Sequence, residues 1–386
     1  MKRIISLLSI SVFLFSCIDK GVAISKPKIS EQYDIAKLRE MYSSGKFENW
    51  PKPTVDSIVL ANGFEDIGAL PKVPFPADNP FSEEKKMLGK MLFEDPRLSS
   101  SGQIACASCH DSQTGWGDGK RVAFGHNRQN GKRNAMTILN TAYYKTLFWD
   151  GRAKSLEHQA TMPVQDMVEM HETLENAVTK IQKIEGYKPY FQKAFGNEEI
   201  SQDKIMKAIA TFERTITSAS SRFDLFIKGN PTKLSNDEVL GLHLFRTKAR
   251  CVNCHNTGLF SDNQFHNDGQ TLFGSNNEDL GRYNVTKQKE DIGKFRTPSL
   301  REIAQTGPWM HHGNFPTLKD VIQFYNLGNP TPVDKKYKGK NIDLLPKSSS
   351  LLKKLSLTKK EENALVAFLS SITTTPRRLN PSELPK

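Results

Sequence analysis

The sequence predicts a mainly α-helical protein made of two similar lobes. Apolar residues recur at helical spacing along much of the chain, whereas the alternating pattern of half-buried strands is scarce. A Gly-x-x-Leu-Phe stretch occurs at residues 89–93 and again at 241–245, and each copy precedes a Cys-x-x-Cys-His motif, at 106–110 and 251–255. The same order of motifs in both halves indicates the duplication of one helical unit.

Helices are expected where a capping residue precedes an apolar stripe. Ser82 is such a cap, because glutamates and helically spaced apolar residues follow it. Long loops separate the helices. In chain order we expect helices over residues 33–42, 82–93, 156–162, 174–184, 204–216, 236–245, 318–325 and 361–372.

The N-terminus has the features of an export signal. Lys2 and Arg3 precede an apolar run, residues 4–15, that is too short for a normal membrane span. The run ends in Leu-Phe-Ser-Cys, so we expect residues 1–17 to be a lipoprotein-type signal with Cys17 as the lipidated residue. An ordinary signal peptide with an incidental cysteine is the alternative.

Changes of composition divide the rest of the chain. Residues 18–75 are polar and punctuated by prolines, which predicts an extended N-terminal arm. We expect the first lobe over 76–235, the second over 236–375, and a C-terminal tail over 376–386.

The formal net charge of +12 on 386 residues raises the question of nucleic-acid binding. Lysines and arginines are scattered along the chain, and no basic run is interleaved with aromatic residues. The charge therefore suits an acidic partner protein or an anionic membrane surface better than nucleic acid.

Each Cys-x-x-Cys-His motif has the spacing of a c-type haem attachment site. Two thiols separated by two residues both reach the haem vinyl groups, and the adjoining histidine lies beneath the iron as an axial ligand. A zinc or structural role for the cysteines is the alternative. We therefore expect two covalent haems c, bound by Cys106, Cys109 and His110 and by Cys251, Cys254 and His255. Cys17 is the fifth cysteine, so no pair is left for a structural disulfide.

The ligand on the far side of each iron decides the chemistry. A haem with two strong protein ligands passes electrons, whereas a haem with an open position can bind peroxide or oxygen. Electron-transfer cytochromes usually take a methionine well after the motif. Met310 is the last methionine of the chain and so is the methionine that could serve the second haem.

Together with the two motifs, several further stretches resemble the bacterial di-haem cytochrome c peroxidase and MauG family. These stretches are Arg-Asn-Ala at 133–135, Phe-Trp-Asp-Gly-Arg at 148–152, Pro-Val at 163–164 with Glu-Met at 169–170, and Thr-Pro-Ser-Leu-Arg at 297–301, which leads to His311. The resemblance runs from about residue 81 to residue 372 and does not include the N-terminal arm.

The resemblance implies roles around the first haem. His110 would be the proximal ligand, and His126 would cap the resting iron from a mobile loop. Glu169 matches the acid/base group over the open face, and Gln159 matches its polar neighbour. Trp149 matches the tryptophan between the two haems. A carboxylate in a partly apolar pocket can have a pKa raised enough to accept and return a proton.

The second haem differs from that of the peroxidases proper. Their second iron takes a methionine at the position of Tyr325, whereas the MauG branch has tyrosine there. A phenolate is a harder, anionic ligand that lowers the reduction potential. Tyr325 is therefore the expected ligand of the second iron, with Met310 as its rival.

A calcium site between the lobes is also implied by the resemblance. Its ligands would be Asn134 and backbone groups at Thr306 and Pro308. Calcium is a hard cation that prefers oxygen ligands of this kind.

These features predict a periplasmic, lipid-anchored peroxidase that reduces hydrogen peroxide to water at the first haem. Electrons from a small cytochrome c or cupredoxin would enter through the second haem and pass Trp149. A MauG-like oxidase that uses high-valent iron to oxidise a protein or a small molecule is the alternative, and Tyr325 favours it. A non-catalytic electron-transfer module is a third hypothesis. The sequence leaves open whether the protein forms a homodimer.

Overall fold

The helices lie where caps and apolar stripes predict them. The computed structural model describes residues 33–328, 344–375 and 378–386, so the expected signal and Cys17 lie outside the described residues. Within these ranges there are twelve α-helices. We number them α1 (Ile35–Tyr42), α2 (Ser57–Ala61), α3 (Glu83–Glu94), α4 (Leu156–Gln165), α5 (Leu174–Gln182), α6 (Lys188–Phe195), α7 (Gln202–Arg214), α8 (Arg222–Ile227), α9 (Asn236–Arg246), α10 (Tyr283–Thr286), α11 (Leu318–Asn326) and α12 (Lys359–Ser371).

The mainly helical prediction is confirmed, and all eight expected helices are present with ends shifted by at most three residues. The helices α2, α6, α8 and α10 were not expected. Strands in the described ranges are limited to β1 (Phe265–His266) and β2 (Phe295–Arg296), which pair antiparallel.

Side-chain caps explain where several helices begin. The Ser82 hydroxyl accepts a hydrogen bond from the backbone N–H of Lys85, which satisfies one unpaired donor at the start of α3. Thr358 and Glu361 form a capping box at the start of α12, since each side chain accepts from the other residue's backbone N–H.

Each half of the chain contains the same close crossing of two helices. A Cβ on Gly89 of α3 would lie 1.9 Å from the carbonyl oxygen of Ala208 in α7, and a Cβ on Gly241 of α9 would lie 2.0 Å from the carbonyl oxygen of Ala364 in α12. Glycine is therefore required at both crossings, because any side chain would force the helices apart. These glycines begin the two repeated Gly-x-x-Leu-Phe stretches. The origin of the lobes by duplication, and their boundaries, stay predictions.

Aromatic clusters fill the cores beside the two crossings. Phe93 contacts Phe212 edge to face at a centroid distance of 5.3 Å, and Phe245 contacts Phe368 in the same way at 5.2 Å. Edge-to-face pairs of this kind stabilise a core beyond the burial of their area. The haem motifs therefore begin next to packed, rigid helix pairs.

The part of the predicted arm that is described packs against the second lobe. Tyr42 is fully buried, and its hydroxyl accepts a hydrogen bond of 3.0 Å from the Arg246 guanidinium. Arg246 also forms an ion pair with Asp66 and donates to the carbonyl of Pro51 across 2.8 Å. Ile67 is fully buried as well. Residues 42–67 are therefore held by α9.

The C-terminal residues return to the first lobe. Lys90 donates to the carbonyl of Asn380 across 2.7 Å, and the N–H of Gly186 donates to the carbonyl of Lys386 across 3.0 Å. A search of the described helices finds none with the length and apolar character of a membrane span.

Candidate functional site

The first Cys-x-x-Cys-His motif folds into one tight turn, Cys106–Ser108. The backbone N–H of His110 donates to the carbonyl of Cys106 across 3.1 Å, which continues the turn to the histidine. Its Nδ1 donates to the carbonyl of Trp116 across 3.1 Å. Burial lowers the pKa of His110. This bond fixes the neutral tautomer whose Nε2 carries the lone pair, as in histidines that bind metals.

The second motif repeats this geometry. Its turn spans Cys251–Asn253, and the backbone N–H of His255 donates to the carbonyl of Cys251 across 2.8 Å. The ring Nδ1 donates to the carbonyl of Phe260 across 3.1 Å. Burial lowers the pKa of His255 as well. Both motifs therefore present a neutral imidazole in the same manner.

No disulfide joins the four motif cysteines. Burial is the main cause that raises the pKa of Cys109 to about 11 and that of Cys251 to about 12. All four side chains are nevertheless partly exposed. Thiols that lie deep in the protein and are still partly exposed are expected to line an internal surface, such as the wall of a cofactor pocket. Unpaired thiols beside a neutral histidine fit thioether attachment of a haem c at each motif.

Glu169 lies close to the first motif. Its charge contributes to the raised pKa values of the Cys106 and Cys109 thiols. Burial raises the pKa of Glu169 itself, and the neighbouring charge of Asp166 raises it further. Gln159 lies on α4 with a partly buried side chain. A partly buried carboxyl with a raised pKa beside a cofactor site can act as a general acid and base.

His126 lies on a loop that is closed against the Glu169 turn. Its backbone N–H donates to the carbonyls of Val168 and Glu169, across 2.7 and 2.8 Å. Its ring stacks on His171 at a centroid distance of 4.5 Å, and its Nδ1 lies 3.3 Å from the Ser100 hydroxyl. The structure thus brings His126 and Glu169 together through backbone contacts.

Trp149 is anchored between a segment of the first half of the chain and a segment of the second half. Its indole N–H donates to the carbonyl of Asn134 across 3.1 Å, and its own carbonyl accepts from the N–H of Arg296 across 2.8 Å. Its ring meets the His311 ring edge-on at 6.3 Å. His311 stacks on Phe295 at 3.7 Å. Burial is the main cause that lowers the pKa of His311 to about 3, so this ring is neutral.

Tyr325 lies on α11 beside the second motif. Its pKa is raised well above the usual value, first by burial and then by the charges of Asp268, Cys254 and Cys251. The phenol is therefore a neutral group unless a cation stabilises its ionised form. Met310 adopts a positive φ of 68° directly before His311.

The residues of the expected calcium site lie in neighbouring segments. The backbone N–H of Asn134 donates to the carbonyl of His311 across 2.8 Å, and its side-chain amide donates to the carbonyl of Lys120 across 2.8 Å. Thr306 and Pro308 belong to the segment that leads into His311. Asn134 is buried.

Some functional candidates escaped sequence reasoning. His266 and Asp262 form a partly buried pair, 2.7 Å apart, and together with Cys254 their ligand atoms lie within 4.8 Å of one another. Asp262 is the main cause that raises the pKa of His266 to about 10 against the opposing effect of burial. A thioether on Cys254 would remove the thiolate that such a metal cluster needs. The sequence contains the Asp-x-x-x-His spacing of these two residues, but this spacing alone does not indicate a functional site.

Comparison with known proteins agrees with this geometry. A family model described as di-haem cytochrome c peroxidase matches residues 83–232. The cytochrome-c peroxidase IdrP1 of Pseudomonas sp. (strain SCT) is 35% identical over 346 residues, which cover 82% of this chain and 88% of that protein. The methylamine utilization protein MauG of Methylophilus methylotrophus is 38% identical over 304 residues, which cover 78% of this chain and 85% of that protein.

A solved structure agrees as well. The crystal structure of a MauG-like protein associated with microbial copper homeostasis superposes with a TM-score of 0.71 at 31% identity, covering 81% of this chain and 98% of that one. The family implies two c-type haems, which fits the paired motifs, and an oxidoreductase of peroxidase type. The chain belongs to the di-haem cytochrome c peroxidase family.

Proposed function

We propose that the protein reduces hydrogen peroxide to water at the haem of the first motif, with electrons that enter through the haem of the second motif. The electron donor would be a small cytochrome c or cupredoxin. The contrast between the two motifs carries the proposal. A proton-holding carboxyl, Glu169, lies beside the first motif, whereas a buried phenol, Tyr325, lies beside the second.

The chain's own part in the chemistry is the movement of a proton. When bound, the first haem supplies an iron that accepts peroxide and the electrons that break its oxygen–oxygen bond. Glu169 takes a proton from the near oxygen and delivers it to the departing oxygen, because burial raises its pKa toward the working range. Gln159, on α4, orients the peroxide without adding a second charge.

We assign His126 to the resting state, in which it caps the first iron. Because its backbone N–H is bonded to the carbonyls of Val168 and Glu169, its departure would disturb the turn that carries the acid/base group. Opening the iron and setting the catalytic carboxyl would then be one coupled event. Ser100 and His171 would hold the imidazole when it is not on the iron.

Trp149 is the proposed electron route between the haems. Its hydrogen bond to Asn134 and its edge contact with His311 hold the indole between segments of the two lobes. The neutral His311 adds no charge to this path. An aromatic ring between the two haems would shorten the distance that an electron must cross in one step.

We also propose a calcium ion between the lobes. The Asn134 side chain has one oxygen acceptor beside its nitrogen donors, and backbone carbonyls at Thr306 and Pro308 would add two more oxygens. The bond from Asn134 N–H to the His311 carbonyl already joins these segments. A cation here would hold Trp149 and His311 in register.

A periplasmic location with a lipid anchor on Cys17 follows from the N-terminal signal and from haem attachment, which occurs outside the cytoplasm. The basic charge of the chain suits an acidic donor protein or an anionic membrane.

Tyr325 supports a second candidate function. A phenolate on the second iron lowers its potential and favours storage of an oxidising equivalent over reduction by a high-potential donor. The protein would then be a MauG-like oxidase of a protein or a small molecule. Tyr325 is close to Cys251 and Cys254, which supports it as ligand over Met310.

The test is stopped-flow mixing of the di-haem protein with peroxide and a reduced small cytochrome c. Oxidation of two donor molecules for each peroxide supports the peroxidase. If no donor is oxidised even after both haems have been fully reduced, the peroxidase proposal is wrong. Persistence of the peroxide-oxidised protein, with decay accelerated by an added oxidisable substrate, would instead favour the MauG-like oxidase.

A further inference from the structure

Glu213 is a buried carboxyl that the proposed chemistry does not use. Its side chain is 4% exposed, and its Oε2 has no hydrogen-bond partner among the described residues. A charged oxygen left in this state bears a large desolvation penalty, so the neutral acid is favoured. Burial accordingly raises the pKa of Glu213 to about 8.

This carboxyl faces the first haem motif. It lies at the C-terminal end of α7, and after burial its charge is the largest cause that raises the pKa of the Cys106 thiol. The preceding residue, Phe212, packs on Phe93 and on Trp116, whose carbonyl holds the proximal His110. Glu213 therefore belongs to the wall on which the first haem is attached.

The charged groups near Glu213 form their ion pairs and hydrogen bonds with other residues. Arg214 forms two hydrogen bonds with Glu157 of α4, 2.6 and 2.9 Å long, and Glu157 also accepts from Asn79 across 2.8 Å. From α3, Lys85 donates to Asn79 across 3.1 Å. Arg214 lowers the pKa of Glu213 and Glu157 raises it by a smaller amount, so burial remains the dominant cause of the raised pKa. Among the described residues no ion pair joins Glu213 to a cation.

The second lobe shows that the helix crossing itself needs no carboxyl. A Cβ on Gly89 would meet Ala208 and Phe212, and a Cβ on Gly241 would meet Ala364 and Phe368. Residues 208 and 212 thus correspond to 364 and 368, and Glu213 corresponds to Leu369, which is buried at 5% exposure. The same packing is made with an apolar side chain beside the second motif. The acid is specific to the first.

We propose that Glu213 is the redox-linked proton site of the first haem. When that haem gains an electron, the Glu213 carboxylate takes up one proton from solvent, and when the haem loses the electron the carboxylic acid releases the proton. No bond other than O–H forms or breaks, and the proton balances the charge of the electron. The proposal rests on the proposed function only in that the first haem accepts electrons, which the donor supplies.

The physical reason is the low dielectric of the site. An added negative charge on the haem disfavours a nearby carboxylate and favours the neutral acid. The ferric haem carries one more positive charge than the ferrous haem, so it would favour the Glu213 carboxylate, and reduction would remove that effect and leave the neutral acid favoured. Leu369 cannot take up a proton at the corresponding place in the second half, where the buried carboxyl beside Tyr325 is instead Asp268, whose pKa burial raises to about 6.

The experiment is a pH series of spectroelectrochemical titrations on the di-haem holoprotein without peroxide. The potential of the first haem should fall as pH rises across neutrality. Glu213→Gln and Glu213→Leu should both weaken this pH dependence, whereas Glu169→Gln, at the other carboxyl with a raised pKa beside the first motif, should leave the Glu213 component in place. The exposed Glu175→Gln is the matched control and should behave as the parent protein. Haem content and thermal unfolding report whether each variant has folded.

A second readout needs no variant. Reduction of the first haem in weak buffer should take up close to one proton, measured with a pH-indicator dye, and the infrared difference spectrum should gain a protonated-carboxyl band. A parent protein that takes up no proton overturns the proposal, as does an unchanged pH dependence in Glu213→Gln. Because no turnover is measured, a failure of the peroxidase proposal would leave these results intact.

Discussion

The indole N–H of Trp149 donates a hydrogen bond of 3.1 Å to the backbone carbonyl of Asn134. The neighbouring residues strengthen this link. Arg133, which precedes Asn134, forms an ion pair of 2.6 Å with Asp150, which follows Trp149, and a second one of 2.6 Å with Asp279. Residues 133–134 therefore hold Trp149 by its ring and, through Asp150, by its backbone. The position of the indole is set by this double attachment.

Trp149→Phe keeps an aromatic ring but removes the donor and shortens the bridge. We expect the free energy of unfolding to fall by about 1–3 kcal/mol, because the Asn134 carbonyl loses its partner. We also expect slower electron transfer from the second haem to the first, measured by stopped-flow absorbance. Trp50→Phe is the control, since Trp50 is an aromatic residue that packs on Tyr42 and Phe47. Equal slowing in both variants would contradict a specific route through Trp149.

Gly125→Ala tests the position of His126. A Cβ at residue 125 would lie 1.9 Å from the carbonyl oxygen of Val168, so the loop must move away from the Glu169 turn. We expect a larger high-spin fraction of the first haem in the oxidised protein, measured by EPR. Gly131→Ala, in the same loop, would place its Cβ 3.6 Å from the nearest atom and should change little. A six-coordinate low-spin spectrum in Gly125→Ala would exclude capping by this loop.

Local signals explain which parts of the fold the sequence predicts. Ser82 and Thr358 begin helices through side-chain bonds within three residues, so their effect is readable from the chain alone. The five-residue helix α2 has no apolar stripe, and residues 42–67 depend on contacts with Arg246 almost 200 positions away. Sequence reasoning therefore described this region as an extended arm with a single helix.

The candidate site also has a part that the sequence predicts and a part that it does not. The motif spacing predicts both haem sites, and the resemblance supplies Glu169, Trp149 and Tyr325. Glu213 went unnoticed, because a glutamate in a helix is ordinarily a solvated residue. Its burial arises where α7 packs beside the first motif, more than 100 residues away in the chain. A contact between residues so far apart in the chain leaves no local pattern in the sequence.

Asp224→Asn should destabilise the second lobe. Asp224 accepts two 2.9 Å hydrogen bonds from Arg301, and both side chains are almost completely buried. Removing one partner leaves a buried charge, so we expect a loss of about 3–5 kcal/mol in chemical denaturation. Glu83→Gln breaks the exposed pair with Lys86 and should cost less than about 1 kcal/mol. Similar losses in the two variants would contradict this account.

The Arg301 pair also gives a pH dependence. Although burial opposes it, hydrogen bonding and charge from Arg301 hold the pKa of Asp224 below its ordinary value. A lowered pKa in the folded state contributes stability that is complete above the unfolded pKa of about 3.9 and is lost as pH falls through the folded value. The parent should therefore lose this part of its stability only in strong acid. Asp224→Asn should lack that component of the acid transition.

Tyr325→Met should raise the reduction potential of the second haem, because a neutral thioether stabilises the reduced iron better than a phenolate does. Redox titration followed by absorbance measures the change. Tyr325→Phe is the companion variant, since it removes the hydroxyl and keeps the ring. If the potential and the ligand-field spectrum are unchanged in both variants, Tyr325 is not the ligand and Met310 becomes the candidate. Turnover that rises in Tyr325→Met would show that the native ligand disfavours the peroxidase reaction.

Glu169→Gln should lower peroxide turnover by about 10²–10⁴-fold, the usual contribution of a general acid/base group. The active form accepts a proton, so turnover of the parent should rise with pH through the raised pKa of Glu169. Asp166→Asn is the sharper variant. It keeps the side-chain oxygen that accepts from the N–H of Val168 across 2.8 Å but removes the charge that raises the pKa of Glu169. The acid limb of the pH–rate profile should therefore move to lower pH with the maximal rate retained. A limb that stays in place would assign the titration to another group.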